Sequence, residues 1–131
     1  MNPVVHFEMP AEDRARMANF YTNVFNWQTQ QLGEDMGGYV LASTTATTED
    51  GSVTTPGNIN GGFYQKTDDP LTHGTSIVIA VEDIDAHMKK VTSAGGKIIG
   101  EPMMIPGIGN FVSFYDTEGN RASMLQPLMQ K

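Results

Sequence analysis

The sequence predicts an α+β fold of two βαβββ modules in a pseudo-twofold arrangement. A strand pattern followed by a helix pattern occurs at residues 4–25 and again at 76–94. Each half also closes on a strand that follows a Gly-Asn pair, in PGNINGGFYQ and in EGNRASMLQP. An internal repeat outweighs local propensity, because two copies of one unit must bury their faces on the same plan. Each sheet should therefore cover one face with its helix and leave the other to line a concave surface.

The length of the chain fits one domain. At 131 residues it can bury a core without disulfides or a structural metal. We expect a single domain at 1–131, made of module one at 1–66, a polar connector at 67–74 and module two at 75–131.

The first strand and helix show both periodicities. Side chains alternate along a strand, so His6 and Glu8 share one face while the residues on either side of each are apolar and share the other. Asp13 is placed to cap the helix that follows. That helix is predicted to bury a stripe with the spacing i, i+3, i+4, i+7 and i+8: Met17, Phe20, Tyr21, Val24 and Phe25.

The rest of module one reads as three strands, at 27–32, 39–42 and 59–66. Residues 43–58 are small and polar and form a long loop, which is either a functional lid or a mobile surface segment. The pair Gly61-Gly62 indicates a bulge or a close approach of another group to the backbone.

Module two repeats the order. A strand at 76–81 leads to a helix that Asp83 caps and Gly95-Gly96 ends, as a left-handed C-cap requires. A strand at 97–101 and a turn-rich loop at 102–110 follow. Two further strands, at 111–115 and 121–126, complete the module.

Composition excludes several classes of function. Without cysteine there is no thiol nucleophile, Cys-ligated zinc or iron–sulfur cluster, and a reducing cytoplasm is the expected location. A formal charge of −7 opposes binding to a phosphate backbone, so we expect no nucleic-acid partner. No stretch approaches the roughly 20 apolar residues that cross a bilayer, and we expect no membrane partner.

His6 and Glu8 are the leading candidate site residues. Their Cα atoms should lie about 7 Å apart, so both side chains can reach one ligand or each other. They could form an acid–base pair, a hydrogen-bonding clamp or the remains of a metal site, or simply pack at a cleft wall or a dimer interface.

Four further residues are placed to line the same cleft. Ser76 and Ser123 occupy strands of module two, and Arg121 shares a strand face with Ser123, where it would meet an anionic ligand or form a surface salt bridge. Tyr64, like Tyr39 and Trp27, either lines a pocket or fills the core.

Five segments together resemble the vicinal oxygen chelate superfamily, which includes glyoxalase I, extradiol dioxygenases, fosfomycin-resistance proteins and bleomycin-binding proteins. The resemblance covers nearly the whole chain and is nearest to the glyoxalase-related, lactoylglutathione-lyase-like branch. It implies a glyoxalase/bleomycin resistance/dihydroxybiphenyl dioxygenase-like fold and a homodimer. The segments are HFEMPAED, NFYTNVFNW, AVEDIDAHMKKVTSAGGK, EPMMIPGIGNF and FYDTEGNRASMLQP.

The resemblance also implies where a metal would bind. In metal-bearing relatives the ligands come from the first and last strand of each module, and His6 stands at the first of these positions. The other three positions hold Gly61, Ser76 and Ser123, which are poor ligands for a divalent ion. We therefore expect binding of a small molecule without a metal cofactor. The alternative is a lyase, isomerase or dioxygenase that holds one divalent metal ion through His6 and Glu8.

Overall fold

The computed structural model describes residues 1–128, and within them each α-helix follows one strand and precedes three. The predicted α+β class of two βαβββ modules is confirmed. The end of the predicted second module, 129–131, lies outside the described residues. The chain divides into two compact units: an N-terminal unit, His6–Thr75, and a C-terminal unit, which joins Met1–Val5 to the described chain from Ser76 onward.

The N-terminal unit holds four strands in the order β2-β3-β4-β1. They are β1 (Val4–Ala11), whose residues from His6 belong to this unit, β2 (Gln28–Gln31), β3 (Val40–Ser43) and β4 (Asn60–Gln65). The helix α1 (Arg14–Phe25) follows β1. Strands β1 and β4 pair in parallel, and the other pairs are antiparallel. The parallel pair brings the first and last strands of the module side by side.

Helix α1 begins and ends as side-chain chemistry requires. The carboxylate of Asp13 accepts a hydrogen bond of 3.0 Å from the backbone N–H of Arg16, which confirms the predicted N-cap. Asn26 ends the helix in the left-handed conformation, with φ 62°. The helix packs on a buried core through three side chains, Met17, Ala18 and Tyr21; the core residues are Ala11, Val40, Ala42 and Phe63.

The predicted apolar stripe of α1 is wrong at three positions. Phe20, Val24 and Phe25 are 54%, 56% and 58% exposed. The left-handed turn at Asn26 reverses the chain, and Trp27 then stacks on Tyr21 with ring centroids 4.5 Å apart. Trp27 thereby covers the core that the end of the helix was expected to cover.

The C-terminal unit repeats the pattern with strand order β5-β8-β7-β6. It contains β5 (Ser76–Ala80), α2 (Ile84–Ser93), β6 (Lys97–Ile105), β7 (Gly109–Tyr115) and β8 (Arg121–Pro127). Strands β5 and β8 are parallel, and β8-β7-β6 form an antiparallel meander.

Helix α2 confirms both of its predicted end signals. The carboxylate of Asp83 accepts a 3.0 Å hydrogen bond from the backbone N–H of Ala86. Gly95 takes a left-handed φ of 100° just after the helix. The helix contributes Ile84 to a core of four buried residues, of which the others are Val81, Val112 and Met124. No helix within residues 1–128 is both long and apolar enough to cross a membrane.

The predicted loop at 102–110 is wrong in its first part, since β6 continues to Ile105. Its pairing with β7 shifts register between Ile99 and Met103. Gly100 in this stretch has a φ of 71°, and Pro102 has no N–H to donate. The irregularity accommodates both residues, as β-bulges do, and the strand then resumes.

The packing of α1 gives a stability prediction. Phe63 is fully buried, so we expect Phe63→Ala to lower the free energy of unfolding by about 3–5 kcal/mol. In a single chain Phe20→Ala removes the same ring from an exposed position, so it should cost less than about 1 kcal/mol at protein concentrations that keep the chain monomeric. Urea unfolding followed by circular dichroism measures both. Equal losses would mean that α1 buries its predicted stripe in solution.

Candidate functional site

A hydrogen-bonded cluster of three side chains lies in the N-terminal unit. The hydroxyl oxygen of Tyr39 is 3.0 Å from His6 Nε2 and 3.1 Å from Glu8 Oε2. We call this arrangement the His6–Tyr39–Glu8 cluster. It joins the two leading candidates from the sequence through a phenol.

Strand pairing explains how the cluster forms. In the parallel pair, His6 lies opposite Asn60 and Glu8 lies opposite Gly62, so all four residues belong to one face of the sheet. The ring of Tyr39 lies over Gly62, where any Cβ would overlap it. The missing side chain at Gly62 therefore makes the space that Tyr39 occupies.

The same register corrects the alignment of Gly61 with a metal-ligand position. Gly61 lies opposite Phe7, and a Cβ at Gly61 would overlap the Phe7 ring. Side chains alternate along a strand, so Gly61 belongs to the face opposite that of His6. The residues of β4 on the His6 face are Asn60, Gly62 and Tyr64.

Burial sets the charge states in the cluster. Burial lowers the pKa of His6 from its ordinary 6.5 to about 4, so its imidazole is neutral at pH 7. Burial also raises the pKa of Tyr39, and the nearby Glu8 charge raises it further, so the phenol keeps its proton. A histidine with so low a pKa is a weak general base, whereas all three side chains remain good hydrogen-bonding groups.

Tyr64 reaches from β4 to the connector. Its hydroxyl donates a 2.7 Å hydrogen bond to the carbonyl of Gly74. This bond ties the last strand of the module to the segment that leaves it. A direct contact between Tyr64 and a ligand stays a prediction.

The three candidates of module two lie in the C-terminal unit. Ser76 is buried and donates a hydrogen bond of 3.2 Å to the carbonyl of Arg121. Ser123 is fully buried, and its hydroxyl lies 2.8 Å from that of Ser113. Both serine hydroxyls therefore have partners within the unit. The side chain of Arg121 is half-buried, and its role toward an anionic ligand stays a prediction.

The donor set does not match the four-ligand metal site that the resemblance implies. Within residues 1–128, no three His, Asp or Glu side chains lie close enough to hold one metal ion. His6 and Glu8 supply one imidazole and one carboxylate, and their shared neighbour is a phenol whose raised pKa opposes the anionic form. Divalent ions in such sites take several imidazole or carboxylate ligands.

Tyr39 is the residue of the cluster that sequence analysis left undecided between pocket and core. A signal was present in the Gly61-Gly62 pair, which indicates a close approach to the backbone. The pair does not say which ring approaches, because Tyr39 lies more than 20 residues earlier in the chain, just before β3. The tertiary structure identifies Tyr39 as the ring that lies over Gly62.

Comparison of the chain with known proteins finds a family match. A family model described as the Glyoxalase/Bleomycin resistance protein/Dioxygenase superfamily matches residues 4–124. A glyoxylase-like domain-containing protein from Didymella fabae is 34% identical over 116 residues, which cover 86% of this chain and 84% of the relative. The anthracycline biosynthesis protein DnrV from Streptomyces peucetius is 30% identical over 86% of this chain. That match covers 42% of DnrV, so it spans less than half of that protein.

A solved structure supports the fold across the whole chain. A variant of methylmalonyl-CoA epimerase from Streptomyces coelicolor, in complex with 2-nitronate-propionyl-CoA, matches with a TM-score of 0.71. The match covers 100% of this chain and 98% of the epimerase at 15% identity. At that identity the likeness concerns the fold alone.

The lowered pKa of His6 predicts a pH dependence of stability. The unfolded chain has the higher pKa, so it binds the proton first as the pH falls from 6.5 toward 4. The contribution of neutral His6 to the free energy of unfolding is fully present above pH 6.5. It is lost as the pH falls from 6.5 to 4, and the loss is at most on the order of 3 kcal/mol. Urea unfolding at several pH values should show a smaller loss in His6→Gln than in the native chain.

The matched control is His73→Gln, since His73 is exposed in the connector. It should keep the pH dependence of the native chain. An unchanged dependence in His6→Gln would contradict the burial of a neutral His6.

Proposed function

Because the chain belongs to the glyoxalase/bleomycin resistance protein/dioxygenase superfamily, we propose that it binds a small organic molecule at the His6–Tyr39–Glu8 cluster without a metal cofactor. The observation that carries this proposal is the cluster itself. It sits at the position where the family resemblance expects the first metal ligand, yet it offers hydrogen-bonding groups in place of a ligand set.

The chemistry of the cluster limits the kind of molecule that fits. A carboxylate, a protonated phenol and a neutral imidazole suit a molecule with hydroxyl, carbonyl or amide groups. Small-molecule chemistry also occurs among similar proteins: DnrV is an anthracycline biosynthesis protein, and the epimerase was solved in complex with 2-nitronate-propionyl-CoA.

The second candidate is a metal-dependent lyase, isomerase or dioxygenase. It is favoured by the two potential ligands, His6 and Glu8, on one strand face. To bind one ion through His6 Nε2, the imidazole would have to release Tyr39. That rearrangement and the small donor set place this candidate second.

We further propose a cytoplasmic homodimer. The absence of cysteine suits a reducing compartment. The three exposed apolar side chains of α1, Phe20, Val24 and Phe25, supply surface that association would bury.

A ligand and metal panel tests the proposal. We expect protein purified without chelator to contain far less than one metal ion per chain, and Ni²⁺, Zn²⁺, Mn²⁺ and Fe²⁺ to leave the Tm unchanged. A few hydroxyl- or carbonyl-bearing compounds should raise the Tm, since a ligand at 100 times its Kd adds about 2.7 kcal/mol of stability. His6→Ala should abolish this increase.

His73→Ala is the control, because it removes an exposed imidazole elsewhere in the unit and should keep the response to those compounds. A near-stoichiometric metal that is lost in His6→Ala but kept in His73→Ala would establish the second candidate instead.

A further inference from the structure

We infer that Tyr39 is a positioning residue, which holds His6 as the tautomer protonated on Nε2 and leaves Nδ1 as the hydrogen-bond acceptor of the site. The inference deepens the proposed function, because it states which atom of His6 a ligand would meet. The tautomer itself can be measured without any ligand.

Counting protons in the cluster gives the tautomer. An ionised carboxylate has no proton to donate, so the Tyr39 hydroxyl donates its single proton to Glu8 Oε2. The hydrogen bond between Tyr39 Oη and His6 Nε2 then needs its proton from the imidazole. A neutral imidazole carries one N–H, so Nδ1 keeps a lone pair.

The protons of the cluster could also be distributed in the opposite way. A protonated Glu8 would donate to Tyr39, Tyr39 would donate to His6 Nε2, and the imidazole proton would sit on Nδ1. Both arrangements keep His6 neutral and differ in which group donates between Tyr39 and Glu8. In the structure the Tyr39 hydroxyl donates to Glu8 Oε2, which is the first arrangement.

The backbone and the ring of Tyr39 are both held in the position from which its hydroxyl contacts His6. Its carbonyl accepts a 2.8 Å hydrogen bond from the N–H of Leu32, and its own N–H donates to the carbonyl of Met36 at 3.3 Å. Its ring lies in the space above Gly62. Backbone and ring are therefore both fixed before any ligand arrives, which is the requirement for a preorganised contact.

The remaining nitrogen of His6 is available to a ligand. Within the part of the chain that the structure describes, His6 makes its hydrogen bond through Nε2. No fully buried side-chain nitrogen or oxygen there lacks a partner, so Nδ1 is not fully buried. Nδ1 is therefore placed to accept a hydrogen bond from solvent or from a bound molecule. The class of ligand that follows carries a hydroxyl, amide or amine hydrogen at the position facing His6.

Long-range ¹H–¹⁵N NMR of the uniformly ¹⁵N-labelled full chain at pH 7 tests the inference. His6→Gln identifies the His6 signals by their loss. We expect Nε2 to have the ¹⁵N chemical shift of a protonated nitrogen and Nδ1 that of an unprotonated one. The Nε2-protonated tautomer should be in about tenfold excess, because one hydrogen bond of ordinary strength corresponds to about that ratio. Tyr39→Phe should lower this excess toward the mixture of tautomers that a free neutral imidazole shows.

Two further variants separate positioning from general structural damage. Gly62→Ala displaces the Tyr39 ring while keeping its hydroxyl, so it should also give a mixture. Gly61→Ala is the matched control, because it makes the same change one residue away on the opposite face, against Phe7, and should keep the excess. Glu8→Gln should reduce it, since an amide can donate to Tyr39 as well as accept.

The outcomes are decisive without a ligand. A native His6 protonated on Nδ1, or an unchanged excess in folded Tyr39→Phe, would overturn the inference. If the expected tautomer is found but no compound in the panel raises the Tm, the inference stands and the proposed function fails. If compounds bind while the tautomer is the opposite one, the proposed function stands and the inference fails.

Discussion

The close approach of Tyr39 to a strand that lacks a side chain is the constraint on which the candidate site depends. The parallel register of β1 and β4 puts Gly62 opposite Glu8, and the ring of Tyr39 occupies the space above that glycine. From there its hydroxyl reaches both His6 and Glu8. A side chain at Gly62 would displace the ring and separate the two groups that the phenol joins.

This arrangement supplies hydrogen bonds to two polar side chains that are partly buried, His6 and Glu8. An imidazole and a carboxylate on one strand face lose hydration as the sheet forms, and each needs a partner to offset that loss. The phenol of Tyr39 serves both, because a hydroxyl accepts and donates at once. A four-ligand metal site would satisfy such groups in another way, and the described donors around His6 are too few for it.

The fold itself could be predicted largely from local signals. Asp13 and Asp83 each cap a helix by accepting a hydrogen bond from the backbone N–H three residues later in the chain. An interaction of such short range can be predicted from the sequence alone. The stripe of α1 was predicted less well, because periodicity reports which side chains share a face but not what covers them. Trp27 competes for the same core and is delivered there by the turn at Asn26.

The sequence by itself determined the repeated βαβββ order, the helix caps and the position of His6 and Glu8 on one strand face, because these follow from residue types and their spacing along the chain. It also carried the family resemblance, which rests on the similarity of five segments. Only the tertiary structure decided that Gly62 rather than Gly61 faces the site, and that Tyr39 bridges the pair. Those facts depend on the register between strands far apart in sequence. A shift of one residue exchanges the two faces of a strand, and periodicity within a single strand carries no information about it.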